Sequence, residues 1–140
     1  FHIKTTAPAT IVQIFRLQTA GISDSESAIT PRVPVRRFTG VFDNRNGLNS
    51  GLAVANPGAS AITLQIVLRN NLGQVIREDS LVLPAKGNIG LFLKERFSQT
   101  ANINGLIEIQ ATDTTTAAEA TFIAMGSRLS ATGGYTVIPY

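Results

Sequence analysis

The sequence predicts an all-β domain of two packed antiparallel sheets, and three observations carry that expectation. β-Branched and aliphatic residues alternate with polar ones in short runs; Gly, Pro and Asn break these runs at close intervals; and the runs add up to seven or eight candidate strands. At 140 residues the chain is expected to be one domain. A domain of that length buries roughly 68–70% of its unfolded surface without a cofactor or disulfide to staple it. No cysteine is present, which excludes disulfides and thiolate metal sites and leaves the redox compartment unread.

The elements follow in order. Ile11 to Gln18 is the first candidate strand. Thr19 to Pro34 is polar, Ser-rich and closed by two prolines, so it reads as an extended linker. Val35 to Phe42 and Gly51 to Ala55 are the next strands, separated by the turn DNRNGLNSG and stopped by Asn56-Pro57-Gly58. Ile62 to Leu68 and Gln74 to Leu83 flank NNLG as the clearest hairpin, with Leu64, Ile66 and Leu68 on one face and Thr63, Gln65 and Val67 on the other. In NIGLFLKERF, Asn88 is expected to cap a short helical turn. That turn would aim Leu91, Phe92 and Phe97 at one end of the core and Lys94, Glu95 and Arg96 at solvent. Leu106 to Thr112, Ala120 to Met125 and Tyr135 to Ile138 complete the strands. The expected core therefore includes Leu64, Ile66, Leu68 and Leu106, with Phe92 beneath one end. The expected architecture is a β-sandwich of immunoglobulin-like or Greek-key type. Residues 1–34 form an N-terminal strand arm and linker, and residues 35–140 the sandwich domain.

The two ends of the chain echo each other. ATIVQIF-RLQTAG at Ala9 to Gly21 aligns, with one gap, on ATFIAMGSRLSATG at Ala120 to Gly133. A domain with two copies of one strand has a spare that can occupy a slot in another subunit. Two accounts follow. In one, Ile11 to Gln18 pairs with its own sheet and the echo reflects strand composition. In the other, the arm completes the sheet of a neighbouring copy as a donor strand. An eight-residue strand spans about 27 Å, and the linker is long enough to reach beyond a domain radius. Ile11, Val12, Ile14, Phe15 and Leu17 are then the subunit-interface residues, expected to contact a neighbour more than their own body.

Charge supports a distinct arm. Residues 1–37 carry Lys4, Arg16, Arg32, Arg36 and Arg37 against Asp24 and Glu26, which accounts for the whole net charge of +3, while the remaining residues balance. Arginines beside a strand also protect an edge from unwanted pairing. The chain begins at Phe1, which suggests a mature form or an excised piece.

Catalysis and cofactors find little support. The single histidine is His2, so the body offers neither a Ser-His-Asp arrangement nor a thiol nucleophile, and zinc lacks ligands. Asp43-Asn44-Arg45-Asn46-Gly47 has the outline of a calcium loop, but Arg45 stands where an oxygen ligand is needed, and a tight turn is expected instead. Asp43, Glu78, Asp79, Glu108, Asp113 and Glu119 are scattered rather than paired as acid–base chemistry requires. No enzyme activity and no cofactor or metal are expected. RVPVRRF at Arg32 to Phe38 offers basic residues with one aromatic, but with no Trp and two Tyr the stacking platforms of nucleic-acid binders are missing. Tyr135 and Tyr140 are thin support for sugar binding, so surface glycans stand as a second class of partner after identical subunits. No Asn-X-Ser/Thr sequon occurs and no apolar stretch reaches the length of a membrane-spanning helix.

The run from Ser50 to Pro57, Leu64 to Val75, Leu83 to Phe97, Gly105 to Gln110 and Tyr135 to Pro139 resembles a β-sandwich repeat of secreted and surface proteins from acidobacterial-type environmental bacteria. Its marks there are a TGIAIANP-like strand, an LxLRDxxGxxV hairpin, an LPAxGxxAxFLxELF cap, a GxLxIxS strand and a closing FTTLP-like strand. The likeness covers about two-thirds of the chain. It implies a non-catalytic sandwich, secreted, extracellular or at the cell surface, with no active-site residues to carry over. The leading strand resembles the donor strand of pilus-like filaments. The expected function is therefore a structural subunit of such a filament, with an isolated adhesive or carbohydrate-binding module as the alternative.

Overall fold

The computed structural model describes residues 5–18, 21 and 24–138. His2, Pro139 and Tyr140 lie outside the described residues, as does part of the expected linker. Ten strands form among the described residues: β1 Gln13–Leu17, β2 Ser25–Ile29, β3 Arg37–Asp43, β4 Asn49–Ala55, β5 Ile62–Asn70, β6 Val75–Leu83, β7 Asn88–Phe92, β8 Asn104–Asp113, β9 Ile123–Leu129 and β10 Tyr135–Ile138. One helical turn, α1 Leu93–Arg96, is followed by a 3-10 turn at Ser98–Thr100. Two four-stranded antiparallel sheets, β3-β8-β5-β6 and β10-β9-β4-β7, make the sandwich, and β1-β2 is a separate two-stranded hairpin. The chain is an all-β sandwich, as its alternation predicts.

Alternation fixes which side chains meet between the sheets. On β5, Ile62, Leu64, Ile66 and Leu68 point inward and are buried, with Leu64 and Leu68 fully so, while Thr63, Gln65 and Val67 face out. Phe38 and Phe42 of β3, Ile107, Ile109 and Ala111 of β8, and Leu52 and Val54 of β4 close the same core. Full burial of one Leu-sized side chain contributes about 1.5–3 kcal/mol. The β5–β6 turn places Gly73 at φ +78°, in the left-handed region that glycine adopts without a steric penalty. There the Asn70 carboxamide oxygen accepts from the backbone N–H groups of Leu72 and Gln74.

Four expectations need correction. Leu106 is only half-buried, because β8 presents the opposite parity: Gly105, Ile107 and Ile109 face the core. Asn88 caps nothing; it is an exposed residue opening β7, whose alternation puts Ile89 and Leu91 opposite Val54 and Leu52. The helical turn begins five residues later, and its buried anchors are Leu93 and Phe97 rather than Phe92, which is half-buried. The ninth strand starts at Ile123, later than Ala120, and Phe122 ahead of it is fully buried and bridged to Val35 through both backbone hydrogen bonds.

A buried polar cluster ties the β3–β4 turn to the 3-10 turn. The Asn44 side-chain amide donates to the Thr100 carbonyl and hydroxyl, each at 3.1 Å, and its oxygen accepts from Ser50 N–H at 2.7 Å. Asn44→Ala strands these partners in a dry site, so it should lower the unfolding free energy by about 2–3 kcal/mol. Urea denaturation of the variant beside the parent reads that loss directly.

Candidate assembly site

The candidate site is built from the N-terminal arm and the sheet beneath it. The segment 19–34 is not a plain linker. It contains β2, which pairs antiparallel with β1 from Gln13 opposite Ile29 to Leu17 opposite Ser25, so the arm is a hairpin. β1 is also shorter than Ile11 to Gln18. Arg16 and Glu26 form a cross-strand ion pair on the hairpin's outer face. Only the stretch from Thr30 through Pro31 and Pro34 remains extended between arm and body, with Val33 80% exposed.

The five expected interface residues divide between the two faces of β1. Ile11, Phe15 and Leu17 alternate with Gln13 on the half-buried face, whereas Val12 and Ile14 are 54% and 66% exposed. The half-buried face covers the outer surface of the β10-β9-β4-β7 sheet. There Ile11, Phe15 and Ile29 look across a groove of about 530 Å³ at Ala53, Ile123 and Met125. Apolar side chains on a sheet's outer face call for a cover, and here the chain's own arm stands over them, so that Ile11 and Phe15, expected against a neighbouring copy, face their own sheet across the groove.

The arm reaches the body through serine hydroxyls rather than a backbone ladder. Ser25 Oγ donates to the Tyr135 carbonyl at 3.0 Å and receives the Tyr135 N–H at 2.8 Å, and Ser27 Oγ receives the Val137 N–H at 2.9 Å. These groups lie on the β10 edge turned away from β9. The partners rise together along both strands, so β2 runs parallel to β10. Sequence reasoning missed this contact, because SESAI carries no apolar alternation. The signal it left is the spacing Ser-x-Ser, which puts two hydroxyls on one face of a strand.

Five of the six carboxylates weighed from sequence are engaged elsewhere. Asp43 is held by Arg45 through two charge-assisted hydrogen bonds, at 2.9 and 2.8 Å, and Asn44 faces the buried cluster, so the calcium-like segment is a turn. Asp79 pairs with Arg96, Glu108 with Arg69, and Glu119 with Arg36 and Arg37. Asp113 receives the N–H groups of Thr115 and Thr116. Phe38, the aromatic of the basic run, is buried in the core and offers no stacking face. No cluster of three metal-ligating side chains occurs among the described residues. A second cleft, of about 420 Å³, lies at the sandwich end between Asp43, Asn70, Asn71, Asn104 and Arg128.

The Arg45 side chain is the main reason that the Asp43 carboxyl is lowered from 3.8 to about 2. A folded-state value below the unfolded one stabilises the fold above about pH 4, and that contribution disappears as the pH falls from about 4 to 2. Asp113, also lowered, by the Thr116 and Thr115 N–H groups, acts in the same direction. Asp43→Asn should therefore flatten, without abolishing, the fall in stability over that window, as read from thermal midpoints across pH.

Compared with protein-family models, with curated proteins and with solved structures, the chain gives no match.

Proposed function

We propose that the protein is an extracellular structural protein, the subunit of a pilus-like or fibrous surface homopolymer in which each copy lodges its N-terminal arm on the next. The observation that carries this reading is a self-contained hairpin tethered by a Pro-bounded segment to a body whose core closes without it. An element of that kind can leave its own body and make the same contacts on a neighbour. Arm and acceptor are different surfaces, so each junction leaves a new arm and a new acceptor, and the assembly grows open-ended. The complete core changes the expected mode of donation: the arm docks on an edge and outer face and fills no gap between the sheets. A chain with only 15% charged residues suits a polymer better than a free monomer. The body sequence, without histidine or cysteine, supports a non-catalytic role.

Removal of residues 1–34 tests the reading. The full chain should give polymers by light scattering, and the truncated body should remain monomeric or aggregate without order. Ordered filaments from the truncated body would overturn the arm's role.

A second reading, an isolated adhesive or carbohydrate-binding module, draws on the arm's closed contacts and on the Asn-lined cleft at the sandwich end. It calls for a monomer with the arm at rest.

A further inference from the structure

We infer that the edge of β10 is the acceptor for the arm of a second copy of this chain, which it receives through Ser25 and Ser27 with β2 running parallel to β10. The inference rests on the filament reading above and specifies which surface of the neighbour is engaged and by which atoms.

The β10 edge has unusual neighbours. Strand edges normally meet another backbone, a charge or a covering element. Here the backbone groups of Tyr135 and the N–H of Val137 are met by two hydroxyls, and β1-β2 remains a separate sheet. A hydroxyl both donates and accepts, and Ser25 uses both capacities on one residue. Alanine offers neither. Because successive same-face residues of a strand rise together with those of its neighbour, Ser-x-Ser reads Tyr135-x-Val137 in one register and one direction. The surface is thus already shaped for this segment.

The attachment is also suited to exchange. It consists of a few side-chain hydrogen bonds beside a half-buried apolar face, with no shared ladder to unzip. The same atoms on a second copy reproduce every contact, so exchange needs no new surface, only a changed direction of the already extended Thr30–Pro34 segment. Val12 and Ile14 on the far face of β1 stay exposed when the arm is closed, which leaves them available for burial between copies.

The native chain has no cysteine, so an engineered pair reports unambiguously. The test is the whole-chain Glu26→Cys/Thr136→Cys variant, whose two positions are exposed and lie between the contacting residues without supplying a hydroxyl to the contact, assembled and then joined by a short bis-maleimide, with light scattering on the same sample and the products separated under denaturing conditions. A covalent ladder of dimers, trimers and longer species alongside polymer supports the β10 edge as acceptor. Polymer whose cross-links stay within single chains overturns the inference while leaving the filament reading intact. Cross-links within single chains and no polymer overturn both. As a second arm, Ser25→Ala/Ser27→Ala should slow assembly at least about tenfold, and Ser25→Thr/Ser27→Thr, which restores the hydroxyls, should recover most of the rate. Equal rates for the alanine and threonine variants and the parent would also count against the hydroxyl register.

Discussion

Phe122→Ala is expected to lower the unfolding free energy by about 3–5 kcal/mol, a large share of the 5–15 kcal/mol typical of a domain. The ring is fully buried, and its backbone is fixed by hydrogen bonds of 2.8 and 2.9 Å to Val35, so the surroundings cannot collapse around the missing atoms. Those bonds also join the start of the body to the strand that leads into β10. The loss should appear as a fall of about 10 °C or more in the calorimetric midpoint. An unchanged midpoint would place the ring outside the core.

Gly105→Ala is expected to do comparable damage by the opposite route. A Cβ on Gly105 would sit 1.9 Å from the Arg69 carbonyl oxygen and 3.0 Å from the Phe42 ring. The first obstacle is backbone at the end of the β5–β8 ladder, where Asn70 pairs with Gly105, and it cannot rotate away as a side chain would. Relief requires the strands to separate beside the register shift at Leu68/Arg69, at about 3 kcal/mol or more. Equilibrium denaturation measures this, and a variant within about 0.5 kcal/mol of the parent would contradict the close approach.

The elements that were legible in the sequence are those where alternation and turn chemistry agree. β5 and β6 have an apolar parity broken by NNLG, and each of Leu64, Ile66 and Leu68 falls where that parity puts it. β8 was misphased because Leu106 and Ile107 are adjacent apolar residues. The polar parity of Glu108 and Gln110, on the Leu106 face, held the answer. NIGLFL was read as helical because the apolar residues are too dense to show a period, while β7 is defined by its pairing with β4. β2 leaves no apolar alternation for a different reason: two of its three inward residues are serines, which hydrogen-bond an edge, and Ile29 alone is apolar there.

The echo between the chain ends falls on corresponding parts of two hairpins. Its two halves are the first strands of two hairpins, β1–β2 and β9–β10, and both strands end on an Arg-Leu pair. The aligned glycines, Gly21 and Gly133, take φ +79° and +84° in the following turns. The echoing element is therefore a hairpin, and it lies beside the hairpin that it echoes.

The mass of the purified full-length chain, taken by multi-angle light scattering with negative-stain images of the same sample, tests the proposed assembly most directly. Open-ended arm exchange predicts masses many times 14.9 kDa, rising with concentration and time, together with unbranched filaments. A single species of 14.9 kDa at every concentration, with no filaments, would contradict it and favour the isolated module.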